Sequence, residues 1–192
     1  PLMRDTEVLR RLPEQPMLEG PFTQAAVTFL EQAAAGDDPF FLYMAHSAPH
    51  YPWRVAEDQR GRSKRGLYGD VVERIDWSVG QLVAALERLQ LADDTIVVFT
   101  SDNGPWLHDG VKAGSAYPFR GGKADMWEGG FRAPCIVRWP GHVPEGTTST
   151  ALLTTLDLLP TFATIAGATL PTLPLDGRSE VDALKGGASS RT

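Results

Sequence analysis

The sequence lacks several features that would narrow its function at once. Its 192 residues contain a single cysteine, Cys135, so no disulfide can form within the chain. The formal net charge is -6, and the absence of a basic excess argues against nucleic acid as a partner. The longest apolar runs, such as residues 40–45, are far shorter than the roughly 20 residues of a spanning helix, so no membrane insertion is expected.

The N-terminus also lacks the apolar stretch of a signal peptide. The chain does not begin with Met, and its end has no obvious closing element. We therefore expect a piece of a longer protein, for which a missing signal peptide says nothing about location.

What the sequence does contain is an alternation of helical and strand patterns. Apolar residues recur with the 3.6-residue period over residues 22–36 and 68–91, which predicts two helices, the first capped by Thr23. Three short apolar runs predict buried strands, at residues 39–46, 95–103 and 133–141. Because these strands are apolar on both faces, the pattern predicts an α/β layered sheet covered by helices.

We divide the chain into three parts on composition. Residues 1–21, rich in proline and charge, are predicted to form an extended surface segment, and residues 22–168 an α/β core with its site loops. A Pro-rich exit segment is expected over 169–192. Within the core, residues 152–168 are predicted to be helical on both sides of Pro160, which would kink or divide the helix. Cys135 is interpreted as a small buried hydrophobic residue.

Polar residues follow the second predicted strand, where Gly104 and Pro105 force a turn. Asp102 and Asn103 offer a carboxylate and an amide oxygen side by side, a pair suited to Ca²⁺ or Mg²⁺. Ca²⁺ takes about 6–8 oxygen ligands, so other groups would have to complete the site. The alternative is a plain turn in which these side chains make local hydrogen bonds.

Two further stretches carry candidate residues in loops. His46 and His50 follow the first predicted strand, and the prolines around His50 would hold an acid at a fixed position, although a loop histidine is commonly structural. Lys123 lies between glycine pairs, where an ammonium can hold an anionic oxygen. Ala124 follows it, so this is not a nucleotide-binding P-loop. The alternative is a solvated lysine beside a Glu128–Arg132 ion pair.

Taken together, these stretches resemble the sulfatase family, and arylsulfatases in particular. The resemblance covers most of residues 22–185 and rests on four segments in the family's order: "FFLYMAHSAPHYP", "TIVVFTSDNGP", "RGGKADMWEGGFRAPCIVRWPG" and "LLTTLDLLPTFATIAGA". It implies an alkaline-phosphatase-like α/β/α sandwich, present here in part. It also implies hydrolysis of sulfate monoesters with a divalent metal, Ca²⁺ or alternatively Mg²⁺.

The resemblance assigns roles to individual residues. Asp102 and Asn103 match the second half of the metal site, and Lys123 matches the lysine that binds the sulfate and steadies the leaving oxygen. His50 matches the histidine that contacts the sulfate ester and protonates the departing alcohol. Glu128 and Arg132 match motif positions, and we interpret them as support for the lysine loop. His108 and Asp109 are expected to border the substrate cleft.

The chain departs from the family in several respects: the nucleophile segment with its basic residues, the N-terminal pair of aspartate ligands and the C-terminal subdomain are all expected outside it. It has no C-x-P-S-R or C-x-A-x-R motif to supply the formylglycine nucleophile, so we expect the nucleophile and the remaining metal ligands outside this chain. A related phosphodiester or phosphonate monoester hydrolase and a non-catalytic scaffold domain are the alternative functions. The expected partner is a sulfated small molecule or sugar, and the resemblance suggests a periplasmic, secreted or lysosome-like location. Oligomeric state is left open.

Overall fold

The computed structural model describes residues 1–11, 18–107 and 113–191. In those residues the strands are β1 (Leu2–Arg4), β2 (Glu7–Arg10), β3 (Val97–Thr100) and β4 (Cys135–Arg138), and the helices are α1 (Glu19–Ala33), α2 (Gly66–Arg88), α3 (Glu128–Phe131), α4 (Leu158–Ala166) and α5 (Val181–Leu184). Single turns of 3-10 helix lie at Glu57–Gln59 and Thr155–Asp157. No helix in the described part of the chain is both long enough and apolar enough to cross a membrane.

The two predicted long helices are present and form the core together. Leu30 of α1 packs with Ala85 and Leu86 of α2 and with Ala92, which follows it. Partly buried apolar side chains surround this cluster, among them Phe40, Leu42 and Val97. The apolar stripes of the two helices therefore face each other, as their periodicity predicts.

The predicted start of α1 is wrong. The helix begins at Glu19, not after Thr23, because Pro21 fits the first turn of a helix, where its missing N–H would have no partner anyway. Thr23 is not a cap but a buried residue inside the helix. Its hydroxyl donates to the Glu19 carbonyl at 2.6 Å and lies 2.6 Å from the Ser78 hydroxyl of α2.

The strands are shorter than predicted, and other described elements do not pack on both of their faces. β3 and β4 pair antiparallel, with Val97 opposite Arg138 and Thr100 opposite Cys135. Residues 39–47 carry no strand assignment, so the first predicted strand is wrong for the described chain. Phe40 and Leu42 pack on the helical core, whereas Phe41 and Tyr43 are 72% and 81% exposed. Burial thus alternates along this segment, because the helices cover one side of it only.

Cys135 is exposed, contrary to its predicted burial. It lies on β4, whose one hydrogen-bonded neighbour among the described strands is β3. Partial burial nevertheless raises the pKa of its thiol. Cys135 would be buried if other elements packed on both faces of β4, but the described elements do not cover it in this way.

The two ends of the chain are more structured than their composition predicts. β1 and β2 form an exposed antiparallel hairpin within the segment expected to be extended.

Pro160 lies in the first turn of α4 and does not kink it, because the helix begins at Leu158. The preceding turn is closed by a capping box between Thr154 and Asp157.

The C-terminal segment folds back onto this capping turn. Asp157 is 1% exposed and accepts hydrogen bonds from the Arg191 guanidinium, at 2.6 Å for Nη2, and from the Arg178 amide at 2.8 Å. The Arg191 bonds lower the pKa of Asp157 below its ordinary value despite its burial. Buried Glu180 accepts bonds from Ser190 in the same way. These contacts anchor the Pro-rich segment to α4.

Candidate functional site

The loop after β3 holds the two predicted metal ligands. Asp102 is exposed, and no other described residue donates a hydrogen bond to its carboxylate or forms an ion pair with it. Asn103 is half-buried, and its Nδ2 donates to the Gly104 carbonyl at 2.9 Å. That local bond is the one a turn would make. It fixes the amide so that Oδ1 remains for another partner.

The lysine loop is bonded directly to this segment. The Gly104 amide donates to the Gly130 carbonyl at 2.9 Å, and the Lys123 amide donates to the Pro105 carbonyl at 2.8 Å. A side-chain carbon added at Gly104 would lie 1.8 Å from the Gly129 carbonyl oxygen. The backbones therefore touch at a distance that only glycine permits. These contacts bring the loops of Asp102 and Lys123 together.

Internal bonds fix the lysine loop itself. The Gly122 amide donates to Asp125 Oδ2 at 2.9 Å. Ala124, directly after Lys123, has a φ of 75°, a left-handed conformation that costs a non-glycine residue energy and that the surrounding contacts must impose. Lys123 is half-buried. Its backbone is thus held at a defined position beside the β3 loop.

Glu128 and Arg132 form the ion pair that their spacing predicts. Arg132 Nε lies 3.2 Å from Glu128 Oε2, and both side chains are exposed. The Arg132 guanidinium also lies 4.6 Å from the Phe119 ring centre. An exposed pair of this kind contributes about 0–1 kcal/mol. Their supporting role for the lysine loop stays a prediction.

His50 lies in an exposed turn that is anchored by aromatic residues. Its Nδ1 is 2.7 Å from the Tyr51 carbonyl, which can only accept, so Nδ1 carries the proton and Nε2 is free to face a ligand. Trp53 Nε1 donates to the Pro49 carbonyl at 3.0 Å. Cis peptide bonds precede both Pro49 and Pro52.

Tyr68 links the His50 turn to the segment around Gly114 and Pro105. The Trp53 ring packs edge-on against Tyr68, with 5.3 Å between ring centres. A side-chain carbon built on Gly114 would lie 2.8 Å from Tyr68 Oη and 3.0 Å from Pro105 Cβ. Burial raises the pKa of the Tyr68 hydroxyl. Among the described residues, no hydrogen bond or ion pair joins the side chains of His50, Asp102 and Lys123 directly.

Several residues that build these loops cannot be recognised as site residues from the sequence. The glycines at 104, 129 and 130 act through backbone contacts between distant segments, and Asp125 accepts the Gly122 amide with its side chain. The density of glycine is the one sign of them in the sequence. Tyr68 was assigned to the apolar stripe of α2. His108 and Asp109, predicted to border the cleft, lie outside the described residues.

A divalent metal is implied by the resemblance, and the donors present fit part of a site for it. Over residues 1–11, 18–107 and 113–191, no group of three or more His, Cys, Asp or Glu side chains is placed to hold a metal. Asp102 and Asn103, adjacent in the chain, offer two hard oxygens, and no described residue donates a hydrogen bond to either oxygen. Such a pair suits a cation such as Ca²⁺ or Mg²⁺ as a partial ligand set.

Comparison with known proteins identifies the family. The model of the Sulfatase family matches residues 5–168, which begins and ends earlier than the predicted range of 22–185. Arylsulfatase A from Homo sapiens is 40% identical over 177 residues, covering 92% of this chain and 35% of the relative. N-acetylgalactosamine-6-sulfatase from Sus scrofa is 41% identical over 181 residues, covering 89% of this chain and 35% of the relative.

Solved structures give the fold. The PsFucS1 sulfatase from Pseudoalteromonas sp. superposes with a TM-score of 0.90 at 30% identity, covering 97% of this chain and 39% of that structure. The phosphonate monoester hydrolase SpPMH from Silicibacter pomeroyi reaches a TM-score of 0.54 at 27% identity, covering 95% of this chain and 32% of that structure.

This chain belongs to the sulfatase family and has part of the alkaline-phosphatase-like α/β/α fold. It spans about a third of the length of the curated relatives that it matches.

Proposed function

We propose that the protein containing this chain hydrolyses sulfate monoesters and that this chain supplies the anion-binding part of the active site. One observation carries the proposal: the backbone bonds from Gly104 to Gly130 and from Lys123 to Pro105 hold the lysine loop against the Asp102–Asn103 loop. An ammonium and two metal-ligating oxygens on such a joined support suit a small, highly charged anion.

Each residue has a distinct role in this proposal. Asp102 and Asn103 would hold a Ca²⁺ ion, or alternatively Mg²⁺, and the bound ion would neutralise sulfate charge. Lys123 binds a sulfuryl oxygen and stabilises the charge that develops on the leaving oxygen. In its doubly protonated imidazolium form, His50 would give the Nε2 proton to the departing alcohol, since its Nδ1–H is engaged with the Tyr51 carbonyl. The formylglycine nucleophile would come from outside this chain.

We infer that the substrate is a sulfated small molecule or sugar. The name of the N-acetylgalactosamine-6-sulfatase relative supports a sugar sulfate, and the arylsulfatase A relative supports an aryl sulfate. The exposed ring of Tyr51 and the half-buried ring of Trp53 beside His50 would suit either ring type. A periplasmic, secreted or lysosome-like compartment follows from the same family inference.

The test uses the full-length protein and the variants Lys123→Ala and His50→Ala. We expect each to lower kcat/KM for a sugar sulfate, whose leaving alcohol needs protonation, by at least about 10²-fold, the scale for losing a charge stabiliser or an acid. Lys64→Ala, at an exposed residue in the loop before α2, is the control and should leave the rate unchanged. A near-wild-type rate in either site variant would remove that residue from the mechanism.

The likeness to a phosphonate monoester hydrolase supports a second candidate function. Assaying the same protein with a phosphonate monoester and a phosphodiester distinguishes the two. Faster hydrolysis of either than of the sulfate ester would replace the sulfatase assignment. No turnover of any of these substrates would favour a non-catalytic scaffold.

A further inference from the structure

A buried carboxylate lies on the first turn of α1, outside the loops described above. Glu19 is 5% exposed, and its Oε2 is 2.6 Å from Nδ1 of His46. Ser47 Oγ donates to Oε1 of the same carboxylate at 3.2 Å. The His46 side chain is itself largely buried. The contacts join residues more than 25 positions apart in the chain.

Burying this carboxylate is costly unless its oxygens accept hydrogen bonds. Burial alone would raise the pKa of Glu19, but the hydrogen bond and charge of His46, together with bonds from Ser47 and the Ala48 backbone, hold that pKa below its ordinary value. Glu19 therefore stays ionised and acts as an acceptor for three consecutive residues. A single anion fixes the start of the loop.

The residues that Glu19 binds lead straight into His50. The His50 amide donates to the Ser47 carbonyl at 3.3 Å, which closes a tight turn. On the far side of the turn, Trp53 donates to the Pro49 carbonyl. The segment that carries His50 is thus held at its start by Glu19 and at its end by Trp53. These contacts fix the backbone from which the His50 ring projects.

We propose that Glu19, acting through His46 and Ser47, is a positioning residue that aims His50 at the leaving oxygen of the sulfate ester. This inference rests on the proposed function, in which His50 protonates the departing alcohol. Glu19 itself touches no substrate. Its contribution is to keep the imidazole within proton-transfer reach, on which general acid catalysis depends.

The dependence of the rate on the leaving group tests this role. An ester of an acidic phenol needs little protonation, whereas an alkyl or sugar sulfate needs a well-placed acid. In the full-length protein, Glu19→Gln should therefore lower kcat/KM for a sugar sulfate by about 10-fold or more and for an activated aryl sulfate by less than about 3-fold. A mere loss of folded enzyme would lower both rates equally.

Glu31→Gln is the matched control, since Glu31 lies on the same helix and pairs with Arg88 at the surface. It should leave the ratio of the two rates unchanged. In a His50→Ala background, Glu19→Gln should change the ratio by less than about 2-fold, because the acid it positions is gone. If Glu19→Gln does not fold, Ser47→Ala replaces it, with an expected change in the ratio of about 3-fold.

The outcomes separate the two proposals. The positioning role alone would be overturned if His50→Ala changed the ratio of the sugar sulfate rate to the aryl sulfate rate while Glu19→Gln left that ratio at the wild-type value. An equal fall of both rates in Glu19→Gln would overturn it as well. A wild-type ratio in His50→Ala would overturn the acid role of His50, and the positioning role with it. Both proposals are supported if Glu19→Gln and His50→Ala each change the ratio of the two rates and Glu19→Gln has little further effect in the His50→Ala background.

Discussion

Substituting Gly104 by alanine tests whether the two site loops need their close approach. The added carbon would lie 1.8 Å from the Gly129 carbonyl oxygen, whereas ordinary contact begins at 3.4 Å, so the loops must separate by roughly 1.6 Å. That movement breaks the 2.9 Å hydrogen bond from the Gly104 amide to the Gly130 carbonyl. Overpacking costs about 1–3 kcal/mol and an unsatisfied buried amide about 1–3 kcal/mol more. We expect a loss of about 2–6 kcal/mol in the free energy of unfolding.

The same displacement should impair catalysis. A misplacement of about 1 Å can cost on the order of 10²-fold in rate, so kcat/KM of Gly104→Ala should fall at least that far. The measurements are urea unfolding and sulfate ester hydrolysis on the full-length protein, with activity normalised to the folded fraction. This normalisation separates the misplaced site from the loss of folded enzyme.

Gly80→Ala provides the matched control. Gly80 lies inside α2, and a carbon added there meets nothing within 4 Å. Alanine should stabilise the helix by about 0.4–1 kcal/mol and leave hydrolysis unchanged. If Gly104→Ala behaved like Gly80→Ala in both assays, the contact between the two loops would not matter, and the argument built on it would fail.

Two further predictions concern carboxylates with contrasting roles. Because the Arg191 bonds lower the pKa of Asp157 in the folded state, its stabilising effect is fully present above its unfolded value of about 3.8 and is lost as the pH falls further. Urea unfolding should therefore show that Asp157→Asn has a free energy of unfolding about 2 kcal/mol or more below that of the wild type at pH 7, and that this difference shrinks below pH ~4. The control Asp93→Asn, at an exposed residue, should match the wild type. A difference that stayed constant with pH would contradict the ion pair. Asp102→Ala should raise the Ca²⁺ concentration needed for activity of the chelator-treated full-length protein, by about 10-fold or more, and unchanged calcium dependence would remove Asp102 from the metal site.

The sequence predicted the parts of the fold that local patterns encode. The apolar periods of α1 and α2 placed both helices, because a 3.6-residue stripe needs no knowledge of its partner. The start of α1 was missed, since Pro21 is compatible with either a loop or a first turn. Residues 39–47 alternate in burial as an extended segment does, but their assignment as a strand depended on neighbours that the pattern cannot reveal.

The candidate site follows the same division. The residue types of the candidate site were visible in the sequence, since Asp102, Asn103 and His50 follow predicted strands and Lys123 lies between glycine pairs. The contacts that assemble their loops were not, because Gly104 meets Gly130 and Glu19 meets His46 only after the chain has folded. Spacing in the sequence carries no information on such long-range pairs.

The interlocked backbones of the Gly104 and Lys123 loops also limit how such a site could diversify. No side chain larger than hydrogen fits where the two backbones cross at Gly104. Few mutations could therefore change the shape of the loops that carry Asp102 and Lys123 without separating them. New selectivity would have to arise in the surrounding loops, at exposed positions such as Tyr51 that make no contact with the crossing. Under the proposed function, recognition of the sulfate and choice of the molecule that bears it would therefore fall to separate stretches of the chain.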